Sequence, residues 1–179
     1  MDTLFPMEEI GDAHLTGADL SEDGVYRYTL TRVWDVGLPL AMFVMLNPST
    51  ADAVENDPTI KRCIGFAKRE GCGGIVVINL FALRSTDPKN LAAHADPVGP
   101  ENAKYVLQAL ARNPAVVIAA WGAHPFATQQ AYAMATGLAA QLDHQGMRLK
   151  CLGVTAKGHP RHPLYLKNTT PLTTYTPKG

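Results

Sequence analysis

The sequence has few cysteines, no long apolar run and no net charge, and each absence excludes a class of protein. The three cysteines are odd in number and widely spaced, so they predict neither a disulfide framework nor a zinc site. No segment approaches the ~18 consecutive apolar residues of a membrane span. The acidic N-terminus, MDTLFPMEEIGDA, lacks the pattern of a signal peptide. We therefore expect a cytoplasmic protein with no membrane partner.

Apolar runs alternate with helical patterns along most of the chain. Core strands are predicted over 39–46, 74–80, 115–121 and 147–152, and helices over 58–70, 101–112 and 126–145. A strand over 25–34 is predicted to form a hairpin with the strand over 39–46. The alternation predicts an α/β fold, a three-layer sandwich whose mostly parallel four-stranded central sheet carries an N-terminal antiparallel strand. We expect one domain over 1–179, with a lead-in over 1–23, a core over 24–167 and a tail over 168–179.

Polar side chains follow each of the four predicted core strands. Because parallel strands place their carboxyl ends at one edge of a sheet, we expect these groups to surround one cleft. The candidate catalytic residues are Asn47, Asp52 and His159. The candidate ligand-binding residues are Ser49, Thr50, Asn79, Phe81, Arg84, Trp121, His124, Arg161 and His162.

Several of these residues have an alternative structural role. Asn47 either binds a ligand or caps the turn before Pro48. Asp57 is predicted to cap a helix, which leaves Asp52 as the preferred acid or base. The amide of Asn79 either reads the edge of a nucleobase or satisfies loop backbone, because it presents a donor beside an acceptor. Phe81 either stacks on a planar ligand or fills the core.

The segment GHPRHP carries His159, Arg161 and His162. Its prolines exclude a helix, so the two histidines do not form a helical metal motif, and we predict neither a metal nor a cofactor. A cationic loop that can transfer protons suits an anion or a developing negative charge. The alternative is a surface loop whose histidines cap backbone groups.

Six segments resemble the DUF1643 family of bacterial and phage proteins of unknown function, over roughly residues 24 to 167. They are VMLNPSTAD, NDPTIKRC, GIVVINLFALRSTDP, DPVGPEN, AAWGAH and GHPRHPLYL. The order of motifs also resembles the uracil-DNA glycosylase superfamily. That resemblance implies that Asn47 positions water, that Asn79 reads a pyrimidine edge, and that His159, or His162 as its rival, stabilises the base anion. Arg161 departs from the small residue that the superfamily carries there.

Three functions remain open on the sequence. The first is hydrolysis of the N-glycosidic bond of a nucleobase, the second is binding of a nucleotide or small anion without chemistry, and the third is an unrelated hydrolysis of a small substrate. An acidic loop over 52–57 would repel a long phosphate backbone. We therefore expect a nucleobase- or nucleotide-like small molecule, or a short single strand of nucleic acid, whose phosphate contacts Arg161.

Overall fold

A computed structural model describes residues 8–10, 14–49 and 56–178. This part of the chain forms eight strands and four α-helices. The strands are β1 (Glu8–Ile10), β2 (His14–Leu20), β3 (Arg27–Val33), β4 (Leu40–Met45), β5 (Gly74–Asn79), β6 (Val116–Ala119), β7 (Lys150–Cys151) and β8 (Thr173–Thr174). The helices are α1 (Pro58–Arg69), α2 (Lys89–Ala93), α3 (Asn102–Ala111) and α4 (Thr128–His144).

All the described strands belong to one sheet, in the order β1-β2-β3-β5-β4-β6-β7-β8. The four central strands β5, β4, β6 and β7 are parallel, and the outer strands pair antiparallel. The α/β class is confirmed, but the prediction of four strands plus one undercounts the sheet. The strands that were missed, β1, β2 and β8, lie in the predicted lead-in and tail, where no buried apolar run marks them.

The predicted hairpin is wrong. β3 pairs antiparallel with β5, whereas β4 lies between β5 and β6 and pairs parallel with both. The chain after β3 crosses the start of β5, where the backbone N–H groups of Trp34 and Asp35 donate to the carbonyl of Gly73 at 2.8 and 2.9 Å. The N–H of Gly73 donates in turn to the carbonyl of Pro39 at 2.9 Å. The turn residues between β3 and β4 therefore carry the chain across the start of β5 and do not form a hairpin.

The helices cover both faces of the sheet. Helix α1 begins as the sequence predicts, because the Asp57 side chain accepts a hydrogen bond from the N–H of Ile60 at 2.8 Å. Its apolar side packs with Phe43 in one core, while α3 and α4 pack with Met42 in a second core on the opposite face. In the described part of the chain, no helix has both the length and the apolar character that crossing a bilayer requires.

A β-bulge in β3 changes which side chains face each layer. Asp19 pairs with Thr29, but Leu20 pairs with Arg27, so Tyr28 is an extra residue without a partner in β2. The Tyr28 ring stacks on Tyr105 of α3 with centroids 4.6 Å apart. The hydroxyl of Thr31 also faces this side, where it accepts a hydrogen bond from Arg112 at 3.0 Å. Tyr28 and Thr31 are three residues apart, so they share a face only because the bulge breaks the alternation of the strand. The bulge also turns Arg27 toward the face that α1 covers.

We expect Gly73→Ala to lower the free energy of unfolding by about 2 kcal/mol or more, measured by urea denaturation. A Cβ at this position would lie 2.0 Å from the backbone oxygen of Asp35, and backbone cannot move aside as a flexible side chain can. Gly65→Ala is the matched control, because no atom lies within 4 Å of its Cβ and it lies inside α1. The control should stabilise the protein by about 0.5–1 kcal/mol. Equal effects of the two changes would contradict the close crossing.

Candidate functional site

A cavity of about 320 Å³ opens at the carboxyl edge of the parallel strands, on the face covered by α1. Its wall is formed by the ends of β4 and β5, the first turn of α1, and residues that follow β6 and β7. The described residues that line it are Arg27, Met45, Leu46, Asn47, Pro48, Ser49, Asp57, Thr59, Ile60, Val77, Asn79, Pro88, Trp121, His162 and Tyr165.

Five of the predicted site residues line this cavity. They come from the end of β5 and from the loops after β4, β6 and β7, as expected for parallel strands: Asn47, Ser49, Asn79, Trp121 and His162. Two further candidates, Thr50 and Asp52, lie outside the described residues. The common cleft predicted from the sequence is therefore present, with His162 in the wall where His159 was expected.

His159 and Arg161 do not line the cavity, although both belong to described parts of the loop after β7. His159 lies in a tight turn, where its carbonyl accepts from the N–H of Thr155 at 2.8 Å and its own N–H donates to the Thr155 hydroxyl at 3.2 Å. Arg161 is exposed. The turn holds His159 away from the wall, and His162 and Tyr165 are the residues of this described segment that line the cavity.

Phe81, Arg84 and His124 are also absent from the described lining. Phe81 is 3% exposed and stacks on Phe126 with centroids 5.4 Å apart, which is the core role that the sequence left open. Arg84 Nη1 donates to the carbonyl of Gly24 at 3.0 Å and so joins two loops. The carbonyl of His124 accepts from Ala127 at the start of a short 3-10 turn.

Asn79 presents a buried amide to the cavity. The residue is 3% exposed, and its side chain forms no hydrogen bond with any residue that the structure describes. Its backbone oxygen accepts from Nδ2 of Asn102 at 3.0 Å, which fixes the end of β5 from α3. The amide therefore has a donor and an acceptor available for a ligand in the cavity.

Asn47 is held by the loop that surrounds it. Its Nδ2 donates to the backbone carbonyls of Pro48 at 3.1 Å and Ser85 at 2.9 Å. The amide nitrogen therefore has the turn-stabilising role that the sequence left open, and the fixed orientation leaves Oδ1 as the acceptor for a ligand or a water molecule.

Arg27 is the main site residue that the sequence analysis missed. It is 6% exposed, lines the cavity, and forms neither a side-chain hydrogen bond nor an ion pair with any described residue. Burial lowers the pKa of Arg27 to about 10; the charges of Arg84 and Arg32 act in the same direction, and that of Asp57 opposes them. The guanidinium therefore stays charged at neutral pH. The only signal in the sequence is a cation within a strand, and the bulge that orients it leaves no local pattern.

His162 is the histidine of the cavity, and its tautomer is set by the backbone. Its Nδ1 accepts a hydrogen bond from the N–H of Leu164 at 3.3 Å, so the neutral ring carries its hydrogen on Nε2. Burial lowers the pKa of His162, and the charge of Asp57 offsets only part of that shift. The ring is thus a neutral hydrogen-bond donor at pH 7.

Asp57 is the carboxylate of the described wall, and it is already engaged. Oδ1 accepts from the N–H of Ile60 at 2.8 Å, and Oδ2 accepts from the hydroxyl of Ser49 at 3.4 Å. Among the described residues, no group of three or more histidine, cysteine, aspartate or glutamate side chains is placed to hold a metal ion. The site therefore offers hydrogen-bond donors, acceptors and one unpaired cation.

These features define an α/β protein with a small polar cavity at the carboxyl edge of its parallel strands. The chain belongs to the DUF1643 family, described as a protein of unknown function, whose model matches residues 27–164. The match begins at Arg27 and ends one residue before Tyr165, so it spans the described cavity wall almost completely. No curated protein and no solved structure matches the chain.

We expect acid to destabilise the protein partly through His162. Its folded pKa lies below the ordinary value of 6.5, so the unfolded chain binds the proton more readily. Stability from this group is complete above about pH 6.5 and is lost as the pH falls toward the folded pKa. Melting temperatures at pH 7.5 and 5.5 should therefore differ more for the wild type than for His162→Asn, whose Oδ1 can still accept from Leu164. Identical pH dependence of the two proteins would refute a half-buried, neutral His162.

Proposed function

We propose that the protein recognises a nucleobase or nucleotide in this cavity and reads the edge of the base with Asn79. The observation that carries the proposal is the buried, unpaired amide at the end of β5. An amide presents a donor and an acceptor side by side, which complements the carbonyl and N–H of a base edge. The cavity volume of about 320 Å³ is near the lower end of the ~300–1,000 Å³ of ligand pockets and suits a single nucleotide.

The proposal extends to hydrolysis of an N-glycosidic bond in this cavity. In this reaction a water oxygen bonds to the anomeric carbon as the C–N bond breaks. The electron pair of the C–N bond leaves with the base, and the proton of the water would go to the candidate base, Asp52. Oδ1 of Asn47 would orient the water, and the Nε2–H of neutral His162 would donate to the developing base anion. The resemblance to uracil-DNA glycosylases supports this arrangement of roles, with His162 taking the place first given to His159. The proposal needs neither a metal nor a cofactor, and Asp52 remains the candidate base.

Binding without chemistry is the second candidate function. It is favoured by the engagement of Asp57 as a helix cap and of the Asn47 amide nitrogen with backbone, which leaves no unengaged carboxylate in the described wall. The same cavity would then serve as a nucleotide or small-anion sensor. Hydrolysis of an unrelated small substrate remains the third candidate. For any of them we favour a cytoplasmic location, because Cys63, Cys72 and Cys151 are buried free thiols.

Asn79→Leu tests base recognition, because it removes the amide at similar volume. Calorimetric titration with nucleobases, nucleosides and nucleotides should identify a ligand of the wild type, and the variant should bind it about tenfold more weakly or worse. Its melting temperature without ligand should stay close to that of the wild type, because the amide has no hydrogen bond with a described residue to lose. Gln129→Leu is the control, because it removes an exposed amide of α4 that lies outside the cavity wall. Unchanged affinity in Asn79→Leu would rule out base reading by this residue.

A measurement of turnover distinguishes the first candidate function, hydrolysis, from the second, binding without chemistry. Release of free base from the bound nucleotide, or from a short single strand that contains it, can be followed by chromatography. If the protein is a glycosidase, His162→Gln should lower the rate about 10²-fold with little change in affinity, because the donor acts on the base anion formed in the transition state. A bound ligand that the wild type leaves intact would assign the second function.

A further inference from the structure

The electrostatic environment of Arg27 does not provide the partner that a buried guanidinium needs. A buried charge is ordinarily paired or hydrogen-bonded, because its removal from water is costly. In the described residues, the Nε of Arg27 is buried without an acceptor and the side chain has no ion pair. The carboxylate of Asp57 influences its charge but forms no ion pair with it, and it is engaged by the N–H of Ile60 and the hydroxyl of Ser49.

A backbone hydrogen bond and the β-bulge together place Arg27 at the cavity. The N–H of Arg27 donates to the carbonyl of Ala82 at 2.9 Å, so the strand is still anchored at this point. The bulge at Tyr28 then places Arg27 on the cavity face; regular alternation would send it toward α3.

We propose that Arg27 is the anion-binding group of the cavity and that the ligand carries a compact oxyanion, such as a phosphate or carboxylate, at the end that meets this residue. A planar guanidinium can donate two parallel hydrogen bonds to such a group, and these are stronger than bonds between neutral partners. The N-terminus of α1 cannot take this role, because Asp57 already caps it with a carboxylate. Arg27 thus replaces Arg161, which is exposed and outside the cavity wall, as the expected phosphate contact.

The inference deepens the proposed function, on which it rests for the identity of the base. Together, Asn79 and Arg27 define the ligand as a nucleoside monophosphate or a nucleotide terminus, read at its base by one residue and at its phosphate by the other. The anion site itself depends only on the burial of Arg27 and its lack of a partner, and so it can be tested separately from base recognition.

The test compares the full-length wild type with Arg27→Met, Arg27→Lys and Arg161→Ala. The probes are inorganic phosphate, acetate, a nucleoside that the wild type binds, and its 5′-monophosphate, with affinities from calorimetry. Arg27→Met should weaken the monophosphate about tenfold or more and leave the nucleoside nearly unchanged. Arg27→Lys should fall between, because it keeps the charge and loses the planar fork. The affinities of Arg161→Ala should match those of the wild type. A comparison of the affinities for phosphate and for acetate shows which oxyanion the site prefers.

The melting temperature without ligand excludes a purely structural role. Removing an unpaired buried charge should leave Arg27→Met as stable as the wild type or more so. A fall of about 4 °C or more would show that an acid of the chain itself holds Arg27, and the inference would be overturned. Binding of the nucleoside with no gain from its phosphate would overturn the inference and leave the proposed function standing. Arg27-dependent phosphate binding without any affinity for bases would support the anion site and refute the proposed function.

Discussion

The parallel pairing of β4 with both β5 and β6 is the constraint on which the rest of the structure depends. The register aligns Met45 with Asn79 and Val44 with Ala119, so the three strands end almost level. The chain leaves β4 on one side to reach β5 and later returns to β4's other side as β6. The loops therefore diverge where the strand order reverses, and the crevice between them is the natural place for a ligand in an open α/β sheet. The cavity of this protein lies there.

The wall of the cavity is also part of the core under α1. Met45, Ile60 and Val77 belong to the buried cluster on this face and line the cavity as well. Apolar packing around the site lowers the local dielectric, which strengthens any hydrogen bond that a ligand makes with Asn79 or Arg27. The same packing makes the buried Nε of Arg27 costly while it has no acceptor. If the cavity binds a ligand as proposed, binding would offset this cost in stability.

The sequence predicts those features that depend on local patterns. Apolar runs reveal the central strands, the Asp-Pro pair reveals the start of α1, and an amide at the end of an apolar run reveals Asn79. Features that depend on contacts between residues far apart in the sequence are not predicted. The turn after β3 carries no information about which strand will lie beside it, so the hairpin was a reasonable but wrong expectation. The orientation of Arg27 depends on a bulge, and the choice of His162 over His159 depends on a turn around Thr155.

The crossing of the chain over Gly73 affects the order in which the strands can pair during synthesis. β3 and β4 are consecutive along the chain but are separated in the sheet by β5, whose residues 74–79 are synthesised later. A nascent chain can pair β2 with β3 at once, since they are adjacent and antiparallel. β4, which is almost wholly buried in the finished sheet, has no neighbour until β5 emerges and inserts between two strands already present. Completion of the sheet therefore waits on a central strand, and the apolar β4 is exposed in the meantime to chaperones and to aggregation.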